Sequence, residues 1–135
     1  MTKVLVIEDE AHLRENVVSI LTFEEFDTLS AADGAIGIEL ARKHIPDLIL
    51  CDIMMPRTDG YEVLVALRSE PATSMIPIIF LTAKAGREDF RYGMALGADD
   101  YVTKPFTPEE LLATVQTRLE RQHLVEQEYR QTLET

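Results

Sequence analysis

Five short apolar runs, at residues 4–7, 28–32, 48–51, 76–81 and 101–102, are separated by stretches with helical periodicity, and this alternation is what most limits the folds open to the chain. Three of them, VLVI, LILC and IPIIFL, are apolar on both faces instead of alternating, as expected of central parallel strands covered by helices on both sides. TLSAA is weaker and suits a sheet edge. Between the runs, Leu13, Val17, Ile20 and Leu21 make one apolar stripe, Ile36, Ile38, Leu40 and Ala41 a second, and Val63, Leu64 and Leu67 a third. Gly34, Gly60 and Gly97 punctuate the turns. Strand–helix–strand crossovers between parallel strands are right-handed almost without exception, so five such units wind into one open sheet with helices on both faces. The expected class is α/β, a flavodoxin-like (βα)5 doubly wound parallel sheet of order 2-1-3-4-5 with an extended C-terminal helix.

The start of that last helix is legible. Thr107 can cap it, Pro108 suits its first position, and Glu110 completes a capping box. Its end is not marked, because no Gly or Pro occurs from residue 109 to residue 135. At 1.5 Å per residue it could run roughly 40 Å, more than a sheet of this size needs as cover. Past Leu119 the apolar positions thin to Leu124, Val125, Tyr129 and Leu133, an imperfect heptad pattern. The expected division is a compact domain over residues 1–121 and a helical extension or linker over 122–135, leading toward an output domain.

Composition narrows the partners. A net charge of −11 and a pI near 4.6 set the surface against nucleic acid phosphates and anionic membranes, so neither is an expected direct partner. The N-terminus, MTKVLVIEDE, is too short in its apolar run and too charged for a signal peptide, and no run approaches the roughly 20 residues that span a bilayer. Cys51 is the only cysteine, so no internal disulfide forms, and His12, His44 and His123 are not at metal-ligand spacing. A reducing cytoplasm fits best.

In a doubly wound sheet ligands bind beyond the carboxyl ends of the strands. Glu8 and Asp9 follow the first strand, Asp52 closes the third, Thr82 closes the fourth and Lys104 follows the fifth. Taken singly, each has an ordinary explanation: acids at a helix start, a capping Asp, a strand-end Thr, a surface Lys. Together they place three carboxylates and a cation at one end of one sheet. Carboxylates packed this closely raise each other's pKa and destabilise the fold unless a cation joins them, and an all-oxygen donor set points to Mg2+. Glu8, Asp9 and Asp52 are the side-chain ligand candidates, with the Met54 carbonyl, two residues past Asp52, as a further one. A carboxylate can attack a phosphoryl group once the charge on the transferred oxygens is neutralised by a metal and fixed donors. Asp52 is the best-placed nucleophile, with Lys104 and Thr82 holding the remaining oxygens.

The segments VLVIEDE, LILCDIMMPRTDGYEVL, IIFLTAK and GADDYVTKPF resemble the receiver domain of two-component response regulators, over about residues 2–121. The resemblance implies that Asp52 takes a phosphoryl group from a phosphohistidine on a sensor kinase or phosphotransfer protein, small acyl phosphates also serving. It further implies that Thr82 is drawn to the phosphate while the Tyr101 ring turns inward. The surface remodelled would be that of the fourth helix, fifth strand and fifth helix, where Arg87 and Arg91 are contact candidates. It also implies a cis Lys104–Pro105 bond that aims the lysine into the pocket.

Other functions on the same fold fare less well. An FMN-type electron carrier would need an anion cradle after the first strand, where EDEAHL presents carboxylates. An aspartate-based phosphatase would place a second Asp as general acid where Met54 stands. Slow self-dephosphorylation, with Met54 and Lys84 flanking the water's route, is the only turnover expected. Cys51 alternates away from Asp52 along its strand and reads as an inert core residue. Either the chain is the N-terminal module of a longer regulator, with a histidine kinase or cyclic-dinucleotide enzyme as output, or it is a stand-alone receiver; homodimerisation through the last helix or the output face is a further expectation.

Overall fold

The computed structural model describes residues 1–83 and 87–134. In chain order the elements are β1 (Lys3–Ile7), α1 (Ala11–Phe23), β2 (Asp27–Ala31), α2 (Gly34–His44), β3 (Leu48–Asp52), α3 (Gly60–Arg68), β4 (Ile78–Thr82), α4 (Arg87–Leu96), β5 (Asp100–Thr103) and α5 (Pro108–Glu134). All strand pairs are parallel and the order is β2-β1-β3-β4-β5, as the sequence pattern requires.

Alternation along the central strands builds two cores. Leu5 and Ile7, Ile49 and Cys51, and Ile78 and Phe80 point to one face, against Ala41 of α2 and Val63, Leu64 and Leu67 of α3. Val4 and Val6, Leu48 and Leu50, and Ile79 and Leu81 point to the other, against Val17 and Leu21 of α1 and Leu111 and Val115 of α5. All of these are fully buried, which is why the central runs carry no polar alternation. Edge strand β2 is only partly covered.

The boundaries moved where backbone chemistry intervened. The run at 76–81 enters the sheet two residues late: Pro77 has no N–H to offer a ladder, and its carbonyl instead accepts from Ile49 N–H at 2.9 Å. Ile36, assigned to an inward stripe, is 47% exposed. At the α5 start, Thr107 Oγ1 accepts from Glu110 N–H at 3.1 Å, and the helix runs unbroken to residue 134, with Leu124, Val125, Tyr129 and Leu133 exposed. A reciprocal capping box between Asp59 and Glu62 starts α3.

At the amino ends of β4 and β5 one side chain ties the connections together. Arg68 donates to the carbonyls of Gly97 at 2.9 Å, Ile76 at 2.8 Å and Ser74 at 3.1 Å, and to Asp99 Oδ2 at 3.0 Å. Asp99 Oδ2 in turn accepts from Ile78 N–H at 2.8 Å, and Arg118 of α5 donates to the Asp99 carbonyl at 2.7 Å.

Candidate functional site

The strand order reverses between β1 and β3, which opens a crevice at their carboxyl ends. Register fixes what lines it. Ile7 pairs with Cys51 and Asp52 with Leu81, so Glu8, the residue after Ile7, comes level with Asp52; Thr82 pairs with Thr103, which brings the next residue, Lys104, beside them. The Lys104 N–H donates to the Thr82 carbonyl at 2.8 Å, and the Lys104–Pro105 bond is cis. The lysine side chain reaches back across the crevice: Nζ lies 2.9 Å from Glu8 Oε1 and 3.4 Å from Asp52 Oδ1.

Two neighbouring acids that look alike in sequence differ in surroundings. Glu8 is fully buried, its second oxygen accepting from Glu10 N–H at 3.1 Å and its carbonyl from Arg14 Nη1 at 2.8 Å, whereas Asp9 is exposed. Burial, with a smaller push from the Asp52 charge, raises the Glu8 carboxyl from 4.5 to about 7 against the opposing pull of Lys104. Burial also disfavours the Lys104 ammonium, but its hydrogen bond to Glu8 and the Asp52 charge outweigh that and hold its pKa above the ordinary lysine value. Cys51, turned into the opposite core, has its thiol pushed well up by burial.

Asp52 is 5% exposed, and the Met54 N–H points at its Oδ1 from 3.4 Å. The turn that follows it closes tightly. Gly60 N–H donates to the Ile53 carbonyl at 2.9 Å, and a Cβ at residue 60 would lie 2.5 Å from the Asp52 carbonyl oxygen and 2.7 Å from Ile53 Cα. In the sequence Gly60 reads as turn punctuation alone; its closeness to the Asp52 backbone makes it part of what positions the carboxylate. Thr82 is fully buried at the end of β4. Tyr101 is half-buried on β5, its ring 5.6 Å from that of Phe80. Arg91 is exposed; Lys84 and the Arg87 side chain lie outside the described residues.

One oxygen from each of Glu8, Asp9 and Asp52 lies within 4.8 Å of the others. Three carboxylate oxygens so close, balanced by one ammonium, suit a small hard cation. The family profile of the response regulator receiver domain matches residues 4–116.

The chain belongs to the response regulator receiver family.

This receiver is 44% identical over 119 residues to a probable transcriptional regulator, ycf27, of Porphyridium aerugineum, a match covering 88% of this chain and 48% of that one. It is 42% identical to the DNA-binding response regulator MtrA of Mycobacterium tuberculosis, covering 88% and 51%. The chain thus spans about half the length of the curated relatives it matches. Among solved structures, chemotaxis protein CheY4 of Vibrio cholerae superposes with a TM-score of 0.84 at 35% identity, covering 87% of this chain and 98% of that one. The receiver domain of a sensor histidine kinase from Pseudomonas aeruginosa, solved with a magnesium ion coordinated in its active site cleft, gives 0.82 at 28%, covering 88% and 98%. No helix among the described residues of this receiver is long and apolar enough to cross a membrane.

Proposed function

We propose that this receiver is a phosphoacceptor switch in which Asp52 takes a phosphoryl group from a phosphohistidine. The observation that carries the reading is Lys104 Nζ bridging Glu8 and Asp52 across the crevice, a cation already aimed where negative charge would gather. A Mg2+ ion held by Glu8, Asp9 and Asp52, with the Met54 carbonyl as a further ligand, would neutralise charge on the transferred oxygens. An Asp52 carboxylate oxygen bonds to phosphorus as the bond from phosphorus to the imidazole nitrogen breaks, and the imidazole takes up a proton. Lys104 stabilises one phosphoryl oxygen, and the Thr82 hydroxyl and Met54 N–H serve the others. Water later attacks the same phosphorus and returns phosphate and free Asp52, a slow self-reversal with Met54 at its flank. With Met54 where an aspartate-based phosphatase places its general acid, this domain is expected to turn over no external phosphoester.

The partners follow from this reading. A sensor histidine kinase or phosphotransfer protein supplies the phosphoryl group. Movement of Thr82 and Tyr101 passes the signal to the face of α4, β5 and α5, where an output domain or a second copy reads it. Residues 1–121 form the switch, and 122–135 a helical linker toward the output. The longer relatives, a transcriptional regulator and a DNA-binding response regulator, support a DNA-binding output over a kinase or cyclic-dinucleotide enzyme, and the −11 charge keeps this domain itself off DNA. Stand-alone action in the cytoplasm is the second reading, supported by the 98% coverage of the CheY4 chain.

The test is incubation with acetyl phosphate, with and without Mg2+, followed by intact mass. The expected result is one Mg2+-dependent phosphoryl adduct, absent from Asp52→Asn. An adduct that survives in the variant would remove Asp52 from its role.

A further inference from the structure

The aromatic side chains on the α4 side of the sheet form a connected series. The Tyr101 ring meets Phe80 at 5.6 Å and 64°, Phe80 meets Tyr61 at 5.6 Å and 83°, and Tyr61 meets Tyr92 of α4 at 4.8 Å and 82°. Alternation turns Tyr101 this way: Val102 enters the core shared with α1 and α5, so the residue before it faces α4. Opposite the ring stands Gly93. A Cβ built there would fall on the Tyr101 hydroxyl, 2.9 Å from Cζ of the same ring and 3.3 Å from Cε2 of Phe80. Glycine inside a helix is disfavoured relative to alanine, so Gly93 does nothing for α4 itself. It leaves a hollow under the helix, and the tip of the Tyr101 ring fills it.

We propose that Gly93 is the positioning residue for Tyr101: its bare backbone is the seat that admits the inward ring, and whatever stands at 93 sets how the α4–β5 face answers Asp52. This rests on the reading of Tyr101 as the reporter of that site. The nature of the opposing atoms matters. At Gly60 they are backbone, and at Gly37 they belong to the fully buried Ile7 side chain, so neither can yield cheaply. At Gly93 the nearest atoms are the far end of a half-buried side chain on an edge strand, which a χ1 rotation carries outward. Gly93→Ala therefore keeps the fold and ejects the ring. Asp52 still takes the phosphoryl group, but the output face no longer follows it.

The experiment uses the full chain labelled with 3-fluorotyrosine, whose four resonances are assigned by single Tyr→Phe substitutions. In Gly93→Ala the Tyr101 signal should move to a solvent-exposed position, the inward population falling about tenfold or more. Acetyl phosphate with Mg2+ should still add one phosphoryl group by mass, without moving that signal back. In a Tyr101→Ala background the collision with the ring is gone, so adding Gly93→Ala should not speed amide exchange along α4 and, by helix propensity, should slow it. A Tyr101 signal that stays at its wild-type position overturns the proposal. So does a Gly93→Ala chain that unfolds and is restored by Tyr101→Ala, since the ring would then have no outward place to go. If the wild-type chain takes no phosphoryl group, the switch reading fails by itself, and the seating of the ring is judged on the unphosphorylated spectra.

Discussion

Replacing Lys104 with Met removes the ammonium that bridges Glu8 and Asp52 while keeping most of the side-chain volume. Nζ hydrogen-bonds a fully buried carboxylate at 2.9 Å and stands 3.4 Å from a second that is nearly so. Removing one partner of a buried pair costs about 3–5 kcal/mol if the remaining charge must stay. Glu8 has an escape, because burial already lifts it to about 7. Protonating it costs about 1.4 kcal/mol per pH unit above that value, and the lost charge-assisted hydrogen bond about 1.5 kcal/mol more. The expected loss is therefore about 3 kcal/mol at pH 8 and about 1.5 kcal/mol at pH 5.5. The sign follows from the direction of the shift: a carboxyl raised from 4.5 to about 7 contributes stability that is full below 4.5 and is lost as pH rises through 7. Without Lys104 that pKa climbs further, so the gap between variant and wild type widens with pH. Urea unfolding in EDTA at the two pH values reads it as a midpoint shift of about 1.5 M at pH 8 and half that at pH 5.5, and 10 mM Mg2+ should narrow the gap at pH 8. A loss equal at both pH values, or larger at pH 5.5, would refute the assignment of Lys104 as the counter-charge of a protonatable Glu8.

Gly60→Ala sets a methyl against the Asp52 carbonyl oxygen and Ile53 Cα, both backbone, so it should cost more than about 2 kcal/mol in a thermal melt and slow phosphoryl uptake by displacing Asp52. Arg68→Met strands the carbonyls of Gly97, Ile76 and Ser74 and the carboxylate of Asp99, for an expected loss of about 2–4 kcal/mol by urea unfolding. Ending the chain after residue 121 should change stability by less than about 0.5 kcal/mol, because the apolar side chains Leu124, Val125, Tyr129 and Leu133 beyond that point are exposed; a larger loss in urea would place part of the extension within the domain.

The fold was legible because central parallel strands have no solvent face: Val4 to Ile7 and Leu48 to Cys51 are apolar at every position for the reason that both sides are covered. The site was legible for a related reason. Parallel strands end together, so polar residues that each close or follow a strand in the sequence meet at one edge of the sheet. Contacts that depend on distance between helices were not legible. Arg68 sits in a helix where an arginine ordinarily reaches solvent, and only the folded connections reveal it as a clasp. Glu8 and Asp9 are adjacent acids, and nothing in their order tells which is sealed inside and which faces water. Gly60 reads as a turn residue and Gly93 carries no signal of its own, because the atoms that need the bare space at each come from Asp52 on β3 and Tyr101 on β5.

The Arg68 clasp also determines how α4 is able to move. Gly97 and Asp99, at the carboxyl end of the helix, are held by Arg68, and the Asp99 carbonyl again by Arg118. Thr82, where the proposed signal would arise, lies at the far end of the strand that leads into the helix. If the proposed switch pushes from that end, it meets a fulcrum at the other, so α4 would swing instead of slide. Displacement would then be greatest near its first turn and vanish toward Gly97, and a partner seated on the first turn of α4 would sense a lever arm that one seated near the clasp would not.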